Sequence, residues 1–303
     1  MYIHHSINDE KLLESYVEFY MFLSCCNNPR KPQRCVIHLN SPLFRNRRSL
    51  LTFRAFTATK FEILTSSKNY RIHFLTFSFS FFQVALRAVL LGYVFTSGIL
   101  LTLTAPESWK VFGIYTVVLA TFHYSEFLSI AFVNPSSLTV DSFILNHSTA
   151  YGIAAFSSWF EFVVERYLFP ESKLPSAASY FGVALCITGE ILRKLAMFTA
   201  RENFNHIVQN ERADGHELIT HGVYQLCRHP SYMGWFYWSI GTQLILQNPL
   251  CLLAYIVASW SFFKDRILIE EITLLNFFGQ DYIEYQKQVG TGLPFISGYK
   301  VNL

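Results

Sequence analysis

The chain has 303 residues, 51% apolar and 17% aromatic, with 15% charged and a net charge of +3, against about 25% charged residues in an ordinary soluble domain. That composition excludes a disordered chain, a collagen-like chain and a small disulfide scaffold. It also argues against a nucleic-acid-binding protein, because the net charge is small and no basic stripe crosses the apolar part. What remains is a polytopic, all-helical membrane protein. The six cysteines (25, 26, 35, 186, 227 and 251) have no regular spacing and form no C-x-x-C pair, as in a reducing compartment.

Charge divides the chain in two. Of the 24 Lys and Arg residues, 11 precede Ile72, together with five of the 21 acids. Residues 1–71 are read as a polar, basic, cytosolic N-terminal extension, with an amphipathic helix expected near residues 10–22. Its early basic charges, with no long apolar run behind them, argue against a signal peptide. Residues 72–303 follow as a membrane domain. Apolar runs at 83–104, 111–133, 143–169 and 177–198 are each long enough to cross a hydrocarbon core of about 30 Å as a helix. Two shorter runs, within 234–263, meet at Asn248-Pro249, a turn signal, and predict a helical hairpin. That makes about six clear transmembrane helices. With the basic extension in the cytosol, the positive-inside rule returns 199–233 and 264–303 to the cytosolic face. The sequon Asn146-His147-Ser148 then falls on that face, where it would not be glycosylated.

Ionisable residues interrupt the runs: His123, Glu126, His147, Glu161, Glu165, Arg166, Glu190, Arg193 and Lys194. A charge in lipid costs several kcal/mol, so these residues are expected to face protein, water or the interface. Most are expected to serve as inter-helix contacts and anchors, with Arg193 a candidate for function. His206, His216, His221 and His229 with Cys227 match no metal-ligand spacing, so no metal is expected. Neither a G-x-G-x-x-G loop nor a P-loop occurs.

The run Gly222-Val-Tyr-Gln-Leu-Cys-Arg-His-Pro-Ser-Tyr-Met-Gly234, with Arg266 and Glu270-Glu271 downstream, closely resembles the isoprenylcysteine carboxyl methyltransferase family. FHYSE (122–126), TVDSFILNH (139–147), NFNHIVQNE (203–211) and GTGLPFI (290–296) extend the resemblance from about Arg71 to the end. It implies an endoplasmic-reticulum membrane enzyme that uses S-adenosylmethionine in a cytosol-facing pocket built from the last helices and the C-terminal segment. The implied substrate is the C-terminal prenylcysteine of CaaX-processed proteins, such as Ras- and Rho-type small GTPases and lamins. The family has eight membrane helices, two of which would fall within residues 1–80. Here that stretch is mostly polar, so the two look replaced or lost.

By the same resemblance Gln209, His216, Glu217, Leu218, Ile219, Tyr224, His229, Pro230, Ser231, Tyr232 and Glu270 would hold the cofactor. Arg266 and Arg193 are the catalytic candidates. Arg266 and Glu270, four apart, share a helix face, and the planar fork of Arg266 suits a carboxylate; a surface ion pair between the two is the plainer account. Pro230 biases His229 away from helix. Trp235, Phe236 and Trp238 would meet the prenyl chain, or else belong to an interfacial aromatic belt. Two other readings compete: a phospholipid N-methyltransferase, which would need no carboxylate clamp, and a membrane carrier, whose ionisable groups would line a pore near the midplane.

Overall fold

The computed structural model describes residues 80–145 and 148–300, and all of them lie in the second of two compact units, Met1–Arg71 and Ile72–Leu303. The helix expected near 10–22, the region of the two absent family helices, and Asn146 and His147 of the sequon lie outside the described residues. Among the described residues there is no strand. The helices are α1 (Ser80–Thr104), α2 (Glu107–Val133), α3 (Thr149–Leu168), α4 (Ala177–Ala200), α5 (Pro230–Leu246), α6 (Pro249–Phe278) and α7 (Gln280–Gln288).

Local chemistry sets their ends. Ser148 caps α3 by accepting from Tyr151 N at 3.1 Å, and Ser176 and Ser179 form a reciprocal capping box at the start of α4, each satisfying amides that have no helical partner. Pro230 and Pro249 open α5 and α6, where a missing N–H costs nothing. Gly279, at φ 52°, ends α6.

Two expected spans are redrawn by these ends. The run 143–169 is not one helix: a 3-10 turn covers Val140–Phe143, Ile144 is left-handed at φ 55°, and α3 begins only at Thr149. The hairpin's second arm does not stop at residue 263. It continues to Phe278 as one helix, so Arg266, Glu270 and Glu271 stand on a rigid extension of the apolar run.

Large apolar side chains lie on the surface, while several charged and polar ones are buried inside. Leu90, Tyr93, Leu103, Phe156, Phe160, Tyr180, Phe181, Leu253 and Val257 are exposed, while Glu126, Arg193, Lys173, Gln243 and Asn248 are buried. Among the described residues only α1 and α2 are apolar enough throughout to register as spans; α3 and α4 carry charges that face inward. Lipid cannot drive helices together as water does, so close packing and hydrogen bonds must hold such a bundle. The α4–α5 pair shows how. Gly182 lies against Gly241 and Gly189 against Gly234, two turns apart on antiparallel helices; a Cβ at Gly182 would stand 2.7 Å from Gly241 O, and one at Gly189 2.5 Å from Gly234 O. Only glycine permits that approach.

Candidate functional site

One turn beyond Gly189 on α4 stands Arg193, and the glycine contact carries it to the first turn of α5, where Nη1 donates to Ser231 Oγ at 2.7 Å. Its Nε and Nη2 grip both oxygens of the fully buried Glu126, at 2.6 and 2.8 Å. Glu126 also receives Lys194 and His206 Nε2, at 2.8 Å. One carboxylate on α2 therefore ties α4 and the loop after it together. The Arg193 guanidinium lies 4.7 Å from the Trp235 ring centre, a cation–π contact that leaves this arginine well occupied.

Beside this cluster opens a cavity of about 610 Å³, a size that holds a small molecule. Of the expected cofactor residues, Gln209, His216, Tyr224, His229, Pro230, Ser231, Tyr232 and Glu270 line it, as do both arginines and Trp235. Glu217, Leu218 and Ile219 do not: Glu217 is exposed and gives its backbone N–H to Asn203 Oδ1 at 2.9 Å. Phe236 does not either. It is buried against Phe263, Ile267, Leu293 and Ile296, because consecutive helical residues turn by 100° and only some of an aromatic run can face one side. Trp238 lies stacked on Phe122, with ring centres 4.0 Å apart, and lines a second chamber of about 180 Å³. That chamber is built from Tyr151, Ala154 and Ala155 of α3 and from Tyr255, Ala258 and Phe263 of α6, and Trp235 borders both spaces.

Sequence reasoning missed part of the wall. Thr139, Asp141 and Ser142 of the 3-10 turn, Asn203 and Asn205, and Thr273 and Phe277 also face the cavity. The quoted motifs contained Thr139, Asp141, Ser142, Asn203 and Asn205; their short polar side chains inside family-like strings were the available signal. Among the described residues no group of three or more His, Cys, Asp or Glu side chains is placed to hold a metal.

The plainer account of Arg266 and Glu270, a surface ion pair between them, does not hold: no such pair forms. Tyr232 stands between them: Arg266 Nε donates to its hydroxyl at 2.9 Å, and that hydroxyl donates to Glu270 Oε2. Arg266 also donates through Nη2 to His206 O, at 2.5 Å, and has no carboxylate partner among the described residues. The adjacent glutamates divide their work. Glu270 faces the cavity, whereas the fully buried Glu271 takes Arg228 Nε and Tyr299 N, at 2.8 and 2.7 Å, and so straps the C-terminal segment across α6. Gly298 closes that strap at φ 75°, where a side chain would overlap the Glu271 carboxyl.

His229 sits between both carboxylates, Nδ1 3.6 Å from Glu270 Oε1 and Nε2 3.1 Å from Glu271 Oε1. Burial alone would lower its pKa. Hydrogen bonds and charge from the two glutamates outweigh that and raise it above the ordinary histidine value. Glu270 and Glu271 move the other way: burial would raise them, but His229 and the neighbouring donors hold them below the usual carboxylate range. His206 is lowered, because its burial outweighs the attraction of Glu126.

Residues 182–276, which include most of this site, match the isoprenylcysteine carboxyl methyltransferase (ICMT) family. A protein-S-isoprenylcysteine O-methyltransferase of Tribolium castaneum is 58% identical over 220 residues, covering 73% of this chain and 78% of the relative. The chain belongs to the isoprenylcysteine carboxyl methyltransferase family. The human member is 54% identical over 222 residues, again across 73% of this chain and 78% of the relative. A solved structure, of the eukaryotic intramembrane Ras methyltransferase ICMT without a monobody, is similar with a TM-score of 0.71 and 58% identity over 72% of this chain and 78% of that one. The chain is thus a member of a methyltransferase family, with an all-helical fold like that of the intramembrane enzyme.

Proposed function

We propose that the protein transfers a methyl group from S-adenosylmethionine to the α-carboxylate of a C-terminal prenylcysteine. The substrates are CaaX-processed proteins of the Ras, Rho and lamin classes, met at the cytosolic face of the endoplasmic reticulum membrane. The observation that carries this reading is Arg266: a guanidinium on a cavity wall with no carboxylate of its own, beside an apolar chamber between α3 and α6.

The wall suits the cofactor. Glu270, Gln209 and the Asn203–Asn205 pair offer polar partners for amino-acid and ribose groups, and Tyr224, His216 and Phe277 offer flat faces for a base. When bound, S-adenosylmethionine supplies an electrophilic methyl on a sulfonium. The protein then has little proton chemistry to do, because an α-carboxyl of pKa about 3.3–3.7 is already ionised at neutral pH. What it must provide is position and dryness. In this reading Arg266 grips the incoming carboxylate through its unpaired donors, and Tyr232 and His206 O hold that guanidinium in place. Arg193, committed to Glu126 and Ser231, is a positioning residue that sets the start of α5. Trp235 borders both chambers and separates the charged end of the substrate from its lipid tail; Trp238 and Phe263 wall the tail.

The test is methyl transfer in liposomes with radiolabelled S-adenosylmethionine and N-acetyl-S-farnesylcysteine, its carboxamide serving as control. Base-labile label in the acid alone is expected. Label in the amide, or none in the acid from protein that still binds the cofactor, would overturn the reading.

A further inference from the structure

After α7 the chain forms a tight loop, Leu293-Pro294-Phe295-Ile296, whose tip the methyl-transfer chemistry leaves unused. Leu293 and Ile296 are buried against Phe236, Phe263 and Ile267. Between them Phe295 is 96% exposed and holds a φ of 61°, in the left-handed region that bulky residues avoid. Two hydrogen bonds fix this shape: Thr291 Oγ1 to Ile296 O at 2.5 Å and Trp260 Nε1 to Pro294 O at 2.8 Å.

The second bond fixes where the loop lies along α6. Leu250, Leu253 and Val257 are exposed and, at helical spacings of three and four, form a stripe that continues through Trp260 to Lys264. The Lys264 ammonium lies 5.3 Å from the Trp260 ring centre. An exposed apolar stripe that ends in a tryptophan and then a lysine marks a helix leaving hydrocarbon for the headgroup layer. The loop is bonded to that tryptophan.

We propose that Phe295 is a membrane-seated finger: its ring enters the headgroup–acyl boundary of the bilayer the helices cross, beside Trp260. Lipid is the occupant because the ring extends a surface that already faces lipid, and because Lys264 next to it suits anionic headgroups. Burying an exposed phenylalanine there is favourable in proportion to the apolar area removed from water. The seat has a consequence for the cavity. The same segment accepts Arg228 N at Gly290 O (2.8 Å) and His229 N at Thr291 O (3.2 Å), so the finger moors the segment that holds the start of α5 to the bilayer.

The experiment reads depth and needs no activity. The full chain, with Cys25, Cys26 and Cys35 changed to Ser, receives Phe295→Cys and an NBD label in phosphatidylcholine–phosphatidylserine nanodiscs; Cys186, Cys227 and Cys251 are buried. A second sample carries the label at Asp214→Cys, an exposed position. The label at 295 is expected to emit further to the blue and to be quenched several-fold more by lipids spin-labelled high on the acyl chain. Equal quenching at both positions would overturn the proposal. So would a blue-shifted label that lipids do not quench, since residues 1–71 or a second copy would then cover it. Should the cysteine variant misfold, Phe295→Trp with brominated lipids poses the same question: added emission that these lipids quench supports the finger, and unquenched emission refutes it.

Discussion

The bundle holds two polar clusters, one at each end of α5. At the far end Lys173, fully buried, donates to Glu165 at 2.6 Å, to Leu246 O and Gln247 O at 3.0 and 2.8 Å, and to Asn248 Oδ1 at 2.9 Å. Glu161 accepts the first amides of α6, from Leu250 and Cys251, at 2.7 and 2.6 Å. That cluster caps two helix ends with side chains of the favourable sign. At the near end Arg193 and Glu126 form an equally closed pair, but Arg266 and Glu270 meet only through Tyr232 and face a cavity. Both clusters bury charge. The near one sets a cation with no carboxylate partner among the described residues on the wall of a cavity, and that difference separates a site from a clamp.

Breaking the clamp should cost stability and spare chemistry. Lys173→Met removes one partner of a buried pair and strands two carbonyls; about 3–5 kcal/mol of stability should go. Thermal unfolding in detergent should show a much lower midpoint, while transfer per folded molecule stays near wild type. Arg266→Ala should do the reverse. Methyl transfer should fall by about 10²–10³, comparable to the loss of one preorganised charge-stabilising donor, with the unfolding midpoint nearly unmoved and cofactor binding retained. Wild-type turnover in the alanine variant would remove Arg266 from the role given to it.

Hydropathy made the bundle legible in the chain, because runs of apolar residues report lipid directly. It could not mark where a helix breaks inside such a run, which is why the turn at Ile144 hid within 143–169. Nor could it show that α6 outlasts its apolar run. Lys264 and Asp265 end the apolar signal, yet the backbone ladder runs on to Phe278 regardless of solvent. The shared face of Arg266 and Glu270 follows from spacing alone, but Tyr232 arrives from α5, and no spacing on α6 announces it. The same limit hid the separate duties of Glu270 and Glu271. Adjacent glutamates look alike in a string, while on a helix they stand 100° apart, so one meets the cavity and the other the C-terminal strap.

The closed and open clusters also differ in how their backbones are set, and Gly189 probes the open one. Gly189→Ala puts a methyl 2.5 Å from Gly234 O, so α4 and α5 must separate, at a cost of about 1–3 kcal/mol. Arg193 would then lose its short bond to Ser231. Transfer should drop by less than in Arg266→Ala, with part of the loss appearing as weaker cofactor binding. Gly152→Ala supplies the control, because a Cβ there has no atom within 4 Å. A Gly189→Ala variant as stable as that control would show that the glycine contact does not set the site.

The smallest expected effect lies in pH. Held between Glu270 and Glu271, His229 has a raised pKa, so its stabilising contribution is fully present below the ordinary histidine value of about 6.5. It is lost as pH rises through the raised folded value. The glutamates, with lowered pKa values, act oppositely: their contribution is present above the ordinary carboxylate value and is lost as pH falls through the lowered one. The far cluster contains no histidine, so an alkaline decline in unfolding midpoint should belong to the near end alone. His229→Gln keeps a hydrogen-bonding side chain but cannot carry the charge, and it should abolish that decline while lowering the plateau slightly. Midpoints measured across the neutral and mildly alkaline range decide it. A decline that persists unchanged in His229→Gln would mean that another group titrates, and that the imidazole is held neutral despite its two carboxylates.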